Sequence, residues 1–201
     1  MERASRVLLF ESFAVELSAL YGNIVPMPMR WSQLKSRIES FLAPSLAERV
    51  ALHQARYRHT HEEVGRIWVT IDGREVADFA THKGWRNVRT LADQLMDERQ
   101  AWGTTAAYAE ATTDAESQLR SQGEFSDATA LDLLEQYLSL PFEEALSSSN
   151  PLLRALAIAD RRLGKRRLRS IQLTPDDHPL VRELYTARCL AEHVEINAPA
   201  V

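Results

Sequence analysis

The chain has 201 residues, with 28 acids and 24 bases and a formal net charge of -4. Its 45% hydrophobic and 26% charged content is that of an ordinary globular chain, long enough to bury a core without disulfide or metal staples. Cys189 is the only cysteine, which excludes an intramolecular disulfide and a cysteine-based metal cluster. No run of about 18 apolar residues offers a membrane-spanning helix. A reducing, cytoplasmic setting is expected, with no membrane association, no cofactor and no disulfide-linked partner.

Residues 1–29 stand apart from the rest. Arg3 and Arg6 before Val7-Leu8-Leu9-Phe10 begin like a signal peptide, but Glu11 and Glu16 interrupt the apolar stretch. Val7, Phe10, Ala14, Leu17 and Tyr21 share one helical stripe, which Gly22, Pro26 and Pro28 end. Met27 and Met29 lie directly before Arg30-Trp31-Ser32. Residues 1–29 are read as an N-terminal helical extension, either outside the core domain or its ordinary first helix. Residues 30–201 are read as one domain.

Ser32 is a fair cap for a helix to about Leu42, with Leu34, Ile38 and Leu42 as its seam. Strands follow. Val50 to Arg58 alternates loosely. Gly65 to Ile71 alternates cleanly, with Ile67, Val69 and Ile71 on one face and Arg66, Trp68 and Thr70 on the other. Asp72-Gly73 is the favoured pair for a two-residue hairpin turn, and Arg74 to Thr81 is the return strand, packing through Val76 and Phe79. From Trp85 the period becomes helical, with Val88, Leu91, Leu95 and Trp102 on one stripe. Thr104 to Gln122 is a second helix, closed by Gly123. Ser126 caps a third, with Leu131, Leu134 and Leu138 as its seam and Pro141 as its stop. Asn150-Pro151 opens a fourth, which Gly164 is expected to close. Arg167 to Leu173 is a candidate fourth, edge strand. Asp177 to Val194 is the last helix. The sum is an α+β fold, a small antiparallel meander of three or four strands against a mostly helical C-terminal half.

Several of these segments together resemble a family of uncharacterised bacterial proteins. They are Trp31-Ser32-Gln33-Leu34-Lys35, Arg56-Tyr57-Arg58 with His61, and the hairpin from Gly65 to Glu75. Asn150 to Ala155, the basic run from Asp160 to Arg169, and His178-Pro179-Leu180-Val181 fit as well. The resemblance spans about residue 30 to the C-terminus and leaves the first 26 residues outside. The family has no assigned activity, so it supplies no catalytic residue.

Two constellations carry candidate chemistry. The first is Arg56-Tyr57-Arg58-His59-Thr60-His61-Glu62-Glu63, at the first strand connection. On an extended segment His59 and His61 share a face, and with Glu62 or Glu63 they form a possible transition-metal site. Arg56 and Arg58 suit an anion. The second is the basic run Arg161, Arg162, Lys165, Arg166, Arg167 and Arg169. Residues 154–169 carry +6, a pattern that suits phosphate contacts as well as a solvated face. Residues 110–144 carry the opposite field, nine acids against Arg120 alone, which suits complementarity with the +6 segment inside the fold or a solvated helical face, and otherwise an acidic surface for a basic protein partner or mimicry of nucleic acid. Trp31, Trp68, Trp85 and Trp102 are expected as core anchors, Trp68 covering the sheet's less buried side. Gly-rich phosphate loops, Gly-x-Ser-x-Gly elbows and His-Glu-x-x-His helices are missing. The pattern points to a binding or regulatory module that contacts a protein or nucleic acid through segregated charged surfaces. The alternative is a metal-dependent hydrolase built on His59 and His61.

Overall fold

The computed structural model describes residues 29–57 and 64–196. The expected extension, and the loop that holds Arg58, His59, His61, Glu62 and Glu63, lie outside those residues. Helix α1 (Trp31–Phe41) leads into three strands, β1 (Val50–Tyr57), β2 (Val64–Ile71) and β3 (Arg74–Ala80). Seven helices follow: α2 (Thr81–Glu98), α3 (Thr105–Gln122), α4 (Asp127–Ser139), α5 (Phe142–Leu146), α6 (Pro151–Ala159), α7 (Lys165–Ser170) and α8 (Pro179–Glu192).

The strands form the expected antiparallel meander in the order β1-β2-β3. Asp72 and Gly73 take φ of 51° and 78°, the two left-handed residues of a type I′ turn. Ile67, Val69 and Ile71 are buried together with Val50, Leu52 and Phe79. Between Val69 and Thr70 the register with β3 shifts, and Val76 is the extra residue, half-buried rather than a full packing position. On the opposite face the Trp68 indole is covered by its neighbours. The His53 ring stacks on it at 5.0 Å and the Arg66 guanidinium lies 4.9 Å from its centroid.

Helix α6 runs through the core. Eight of its nine residues are buried, because Leu, Ile and Ala occupy every face except that of Arg154. Ile38 and Leu42, Val50, Leu52 and Val69 of the sheet, and Leu180 and Leu184 of α8 close around Leu152 and Leu156. The end of α1 is laced to the end of α6 by hydrogen bonds from Ala43 N–H to the Ala159 carbonyl and from Arg161 N–H to the Phe41 carbonyl, each 2.8 Å.

Gly164 does not close α6, and residues 167–173 do not form a strand. The sheet has three strands, and α6 ends at Ala159, where Asp160 turns extended and its carboxylate takes the Arg162 N–H at 2.7 Å. Gly164 instead precedes α7 as its N-cap. Lys165, Arg166, Arg167 and Arg169 are strong helix formers, and the single apolar anchor Leu168 is fully buried. In α4 the deepest residues are Ala130, Leu133, Leu134 and Tyr137, a face turned by one residue from the expected seam.

Helices α2 and α3 form an antiparallel hairpin with its own small core. Ala92 and Met96 meet Ala111 and Ala115, with Val88, Leu91 and Leu95 at their margin. Small residues on both sides let the two helices approach closely. Gly123 ends α3 at φ 78°, and Pro151 and His178 press so near that a side chain there has no room.

The tryptophans are not core anchors. Trp85 is 49% exposed and Trp102 56%, while Trp31 and Trp68 are half-buried. The buried line of α2 runs through Gly84, Ala92 and Met96, which leaves Trp85 on its margin, and α2 ends before Trp102 is reached.

Candidate functional site

The basic run is split by the fold into residues that hold the molecule together and residues that face solvent. Arg162 is exposed but engaged. Its guanidinium bonds the Asp160 carboxylate at 2.7 Å and lies 4.7 Å from the Phe41 ring centroid and 5.1 Å from that of Phe142. Asp160 is fully buried and also accepts the Tyr137 hydroxyl at 2.6 Å. Burial and the neighbouring carboxylate both raise the Tyr137 phenol, which stays protonated as the donor. Arg167 forks onto Glu143 at 2.6 and 2.7 Å, and this contact holds the Glu143 carboxyl below its usual range. Lys165 donates to the Glu192 carbonyl at 3.1 Å. Arg161, Arg166 and Arg169 are exposed. The side chains of Arg161 and Arg166 make no ion pair or hydrogen bond with another described residue. Arg56, at the far end of β1, is exposed as well.

The acidic segment is split in the same way. Glu143 pairs with Arg167, and Glu124 with Lys83 at 3.3 Å. Asp127 is buried, where the Thr81 hydroxyl donates to it at 2.6 Å and ties α4 to the start of α2. On α3, however, Glu110 and Glu116 are exposed and make no ion pair or hydrogen bond with a described residue, although the Glu110 charge acts on Arg99. Residues 91–118, the distal part of the hairpin, carry six acids against Arg99 alone. Arg99 is itself bound to Asp114 at 2.6 Å, with Glu110 and Glu98 adding to the field around it.

Two exposed aromatics stand in this acidic region, Trp102 at 56% and Tyr108 at 37%. Trp102 is not packed into place but tethered, its indole N–H donating to Asp97 at 2.5 Å. Trp85 stands at the other end of the hairpin, on the rim of a cleft of about 380 Å³ whose charges are mixed, with Arg120 beside Glu116.

A second cleft, about 520 Å³, lies where α6 and α8 begin. Two helix N-termini suggest an anion site, but their donors are already used. Asn150 accepts from Leu152 and Leu153 N–H at 3.0 and 3.2 Å, and His178 Nδ1 accepts from Leu180 N–H at 3.1 Å. Pro151 and Pro179 have no N–H to give. Arg154 in this cleft is spent on Asp177. Burial opposes the charge of Asp177, and hydrogen bonds from Thr174 and the Arg154 charge outweigh it, so its carboxyl lies low.

A family model for the SF0329 protein family matches residues 30–189, from just before α1 to well inside α8. The chain belongs to that family. The match bears out the resemblance noted above as far as membership goes, and it covers all the helices and strands that frame the clefts and the hairpin. Neither the curated proteins nor the solved structures contain a match to the chain. Among the described residues, no helix is long and apolar enough to cross a membrane, and no group of three His, Cys, Asp or Glu is placed to hold a metal. The sequence signal that marks the hairpin was present as charge, but the exposure of Trp102 was not legible from helical spacing.

Proposed function

We propose that this protein is a protein-binding module that offers the acidic α2–α3 hairpin to a basic segment of a partner chain. The observation that carries this reading is the concentration of acids on the distal hairpin, where residues 91–118 hold six acids against Arg99 alone. Of the six bases in the 161–169 run, Arg162, Lys165 and Arg167 are engaged within the fold, and Arg169 is not free either. The acids Glu110 and Glu116 face solvent and make no ion pair or hydrogen bond with a described residue. A nucleic-acid surface needs several free cations in a stripe. A surface for a basic protein needs free carboxylates around an apolar centre, with charge that steers the encounter.

The test is fluorescence anisotropy with a labelled arginine-alanine peptide and a labelled DNA duplex, at low and at physiological salt. The peptide is expected to bind, to weaken as salt rises, and to weaken again with Glu110→Gln and Glu116→Gln. The duplex is expected not to bind. Duplex binding that survives physiological salt and disappears with Arg161→Glu and Arg166→Glu overturns the proposal in favour of nucleic acid.

A further inference from the structure

We infer that the tip of the hairpin recognises an arginine side chain of the partner, stacked on Trp102; this rests on the hairpin being the protein-binding surface. Three observations converge. Trp102 is the most exposed aromatic ring among the described residues, yet a hydrogen bond to Asp97 fixes its orientation. A tethered, solvent-facing indole is a ready platform that loses little freedom on binding. Asp97 and Glu98 lie in the last turn of α2, where no base is present, while Asp93 a turn earlier pairs with Arg89 at 4.0 Å. Anions at a helix C-terminus work against the peptide dipole, so helix stability does not explain them. Within residues 91–118 the one base, Arg99, is held by Asp114, and this contact also braces the connection between the helices.

The occupant follows from charge and shape. Six acids around one engaged base repel anions and attract cations. The indole face, negative in its quadrupole, favours a cation above it. Of the two basic side chains, the guanidinium is planar, weakly hydrated and able to reach a neighbouring carboxylate with two donors. A protonated lysine would be drawn by the same field but would stack less well. Tyr108, also exposed, offers a second aromatic ring at the start of α3 for a neighbouring side chain of the partner.

The experiment compares three labelled peptides of one length, alternating alanine with arginine, lysine or citrulline, against the full chain. Arginine is expected to bind tighter than lysine, and neutral citrulline not at all. Trp102→Leu is expected to weaken the arginine peptide by about threefold to tenfold, while Trp102→Phe retains most of the affinity. Because the ring is exposed, the melting temperature of Trp102→Leu serves as the folding control and is expected to match wild type. If Trp102→Leu binds as wild type while Glu110→Gln with Glu116→Gln still weakens binding, the platform is wrong and the hairpin reading stands. If no basic peptide binds at low salt, both fall. Sedimentation that finds the chain pairing with itself, and losing this with Arg161→Glu and Arg166→Glu, makes a second copy the occupant and overturns the assignment.

Discussion

The knot around Asp160 and the tip of the α2–α3 hairpin use the same chemical groups to opposite ends. In the knot, Asp160 is fully buried and Arg188 is 2% exposed. Arg188 donates to the carbonyls of Ile158, Asp160 and Leu163, closing the end of α6, and its Nε reaches Glu192 at 3.1 Å. Arg162 then seals Asp160 beneath three aromatic rings. At the tip, Asp97, Glu98 and Trp102 face water, and the hydrogen bonds there fix a surface rather than close one. Charge in the knot specifies structure, since desolvated groups must all be paired. Charge at the tip is free to act on something else.

The contrast predicts a large effect in the knot. Arg188→Met removes the buried guanidinium donor of the Ile158 and Leu163 carbonyls, and leaves the Asp160 carbonyl with only the Leu163 N–H and the Glu192 carboxylate with only the Ser45 hydroxyl. The expected loss is about 3–5 kcal/mol of unfolding free energy, read by urea denaturation. A loss below about 1 kcal/mol would mean the buried network is dispensable, and the distinction between the two regions would collapse.

A smaller effect separates the regions by pH. Burial holds the His178 imidazole below its ordinary value, with Lys83 and Arg182 adding to the shift and Glu124 opposing it. Its Nδ1 must stay unprotonated to accept the Leu180 N–H. The unfolded chain therefore takes up this proton at higher pH than the native chain does. The contribution is complete above the unfolded value near 6.5 and is lost as pH falls from there through the lower folded value. His178→Asn keeps a side-chain acceptor at the cap and is expected to flatten the stability profile between about pH 7 and 5. His178→Ala is expected to cost about 1 kcal/mol at neutral pH. A profile unchanged by the Asn variant would show that the cap does not titrate.

Much of the body was legible because its signals are local. Asp72-Gly73 between two alternating runs defines a hairpin by turn geometry alone, and Asn150-Pro151 and Ser126 announce helix starts through their own hydrogen bonds. The errors came where a distant partner decides. Residues 167–173 alternate well enough for a strand, but an edge strand needs a neighbour to pair with, and α7 forms instead around Leu168. Pairing of the +6 segment with Asp160 and with the acidic segment was legible as charge, but spacing did not reveal which bases are claimed, Arg162 by Asp160, Phe41 and Phe142 and Arg167 by Glu143. Trp102 read as core because the helical period was extended past Glu98, where α2 ends. The acids of 110–144 were visible as a block, but only the packing of α3 shows that Glu110 and Glu116 stay in water while Asp127 goes inside.

The smallest expected effect is also the one that most directly sets the two regions apart. Glu98 is the last residue of α2, exposed, where the helix dipole disfavours its charge. Glu98→Gln is therefore expected to stabilise the chain by about 0.3–1 kcal/mol, seen as a small rise in urea midpoint at an unchanged slope. The same change removes one carboxylate from the end of α2 and is expected to weaken the arginine peptide. In the knot no substitution should give this opposition, because there every group that binds also stabilises. A gain in stability together with a loss in peptide affinity means the tip keeps its acids at the expense of the helix, a trade expected where a surface is held for binding. A loss of stability from Glu98→Gln would show instead that the acids serve the helix, through contacts such as the field they exert on Arg99. The tip would then belong with the knot as structure.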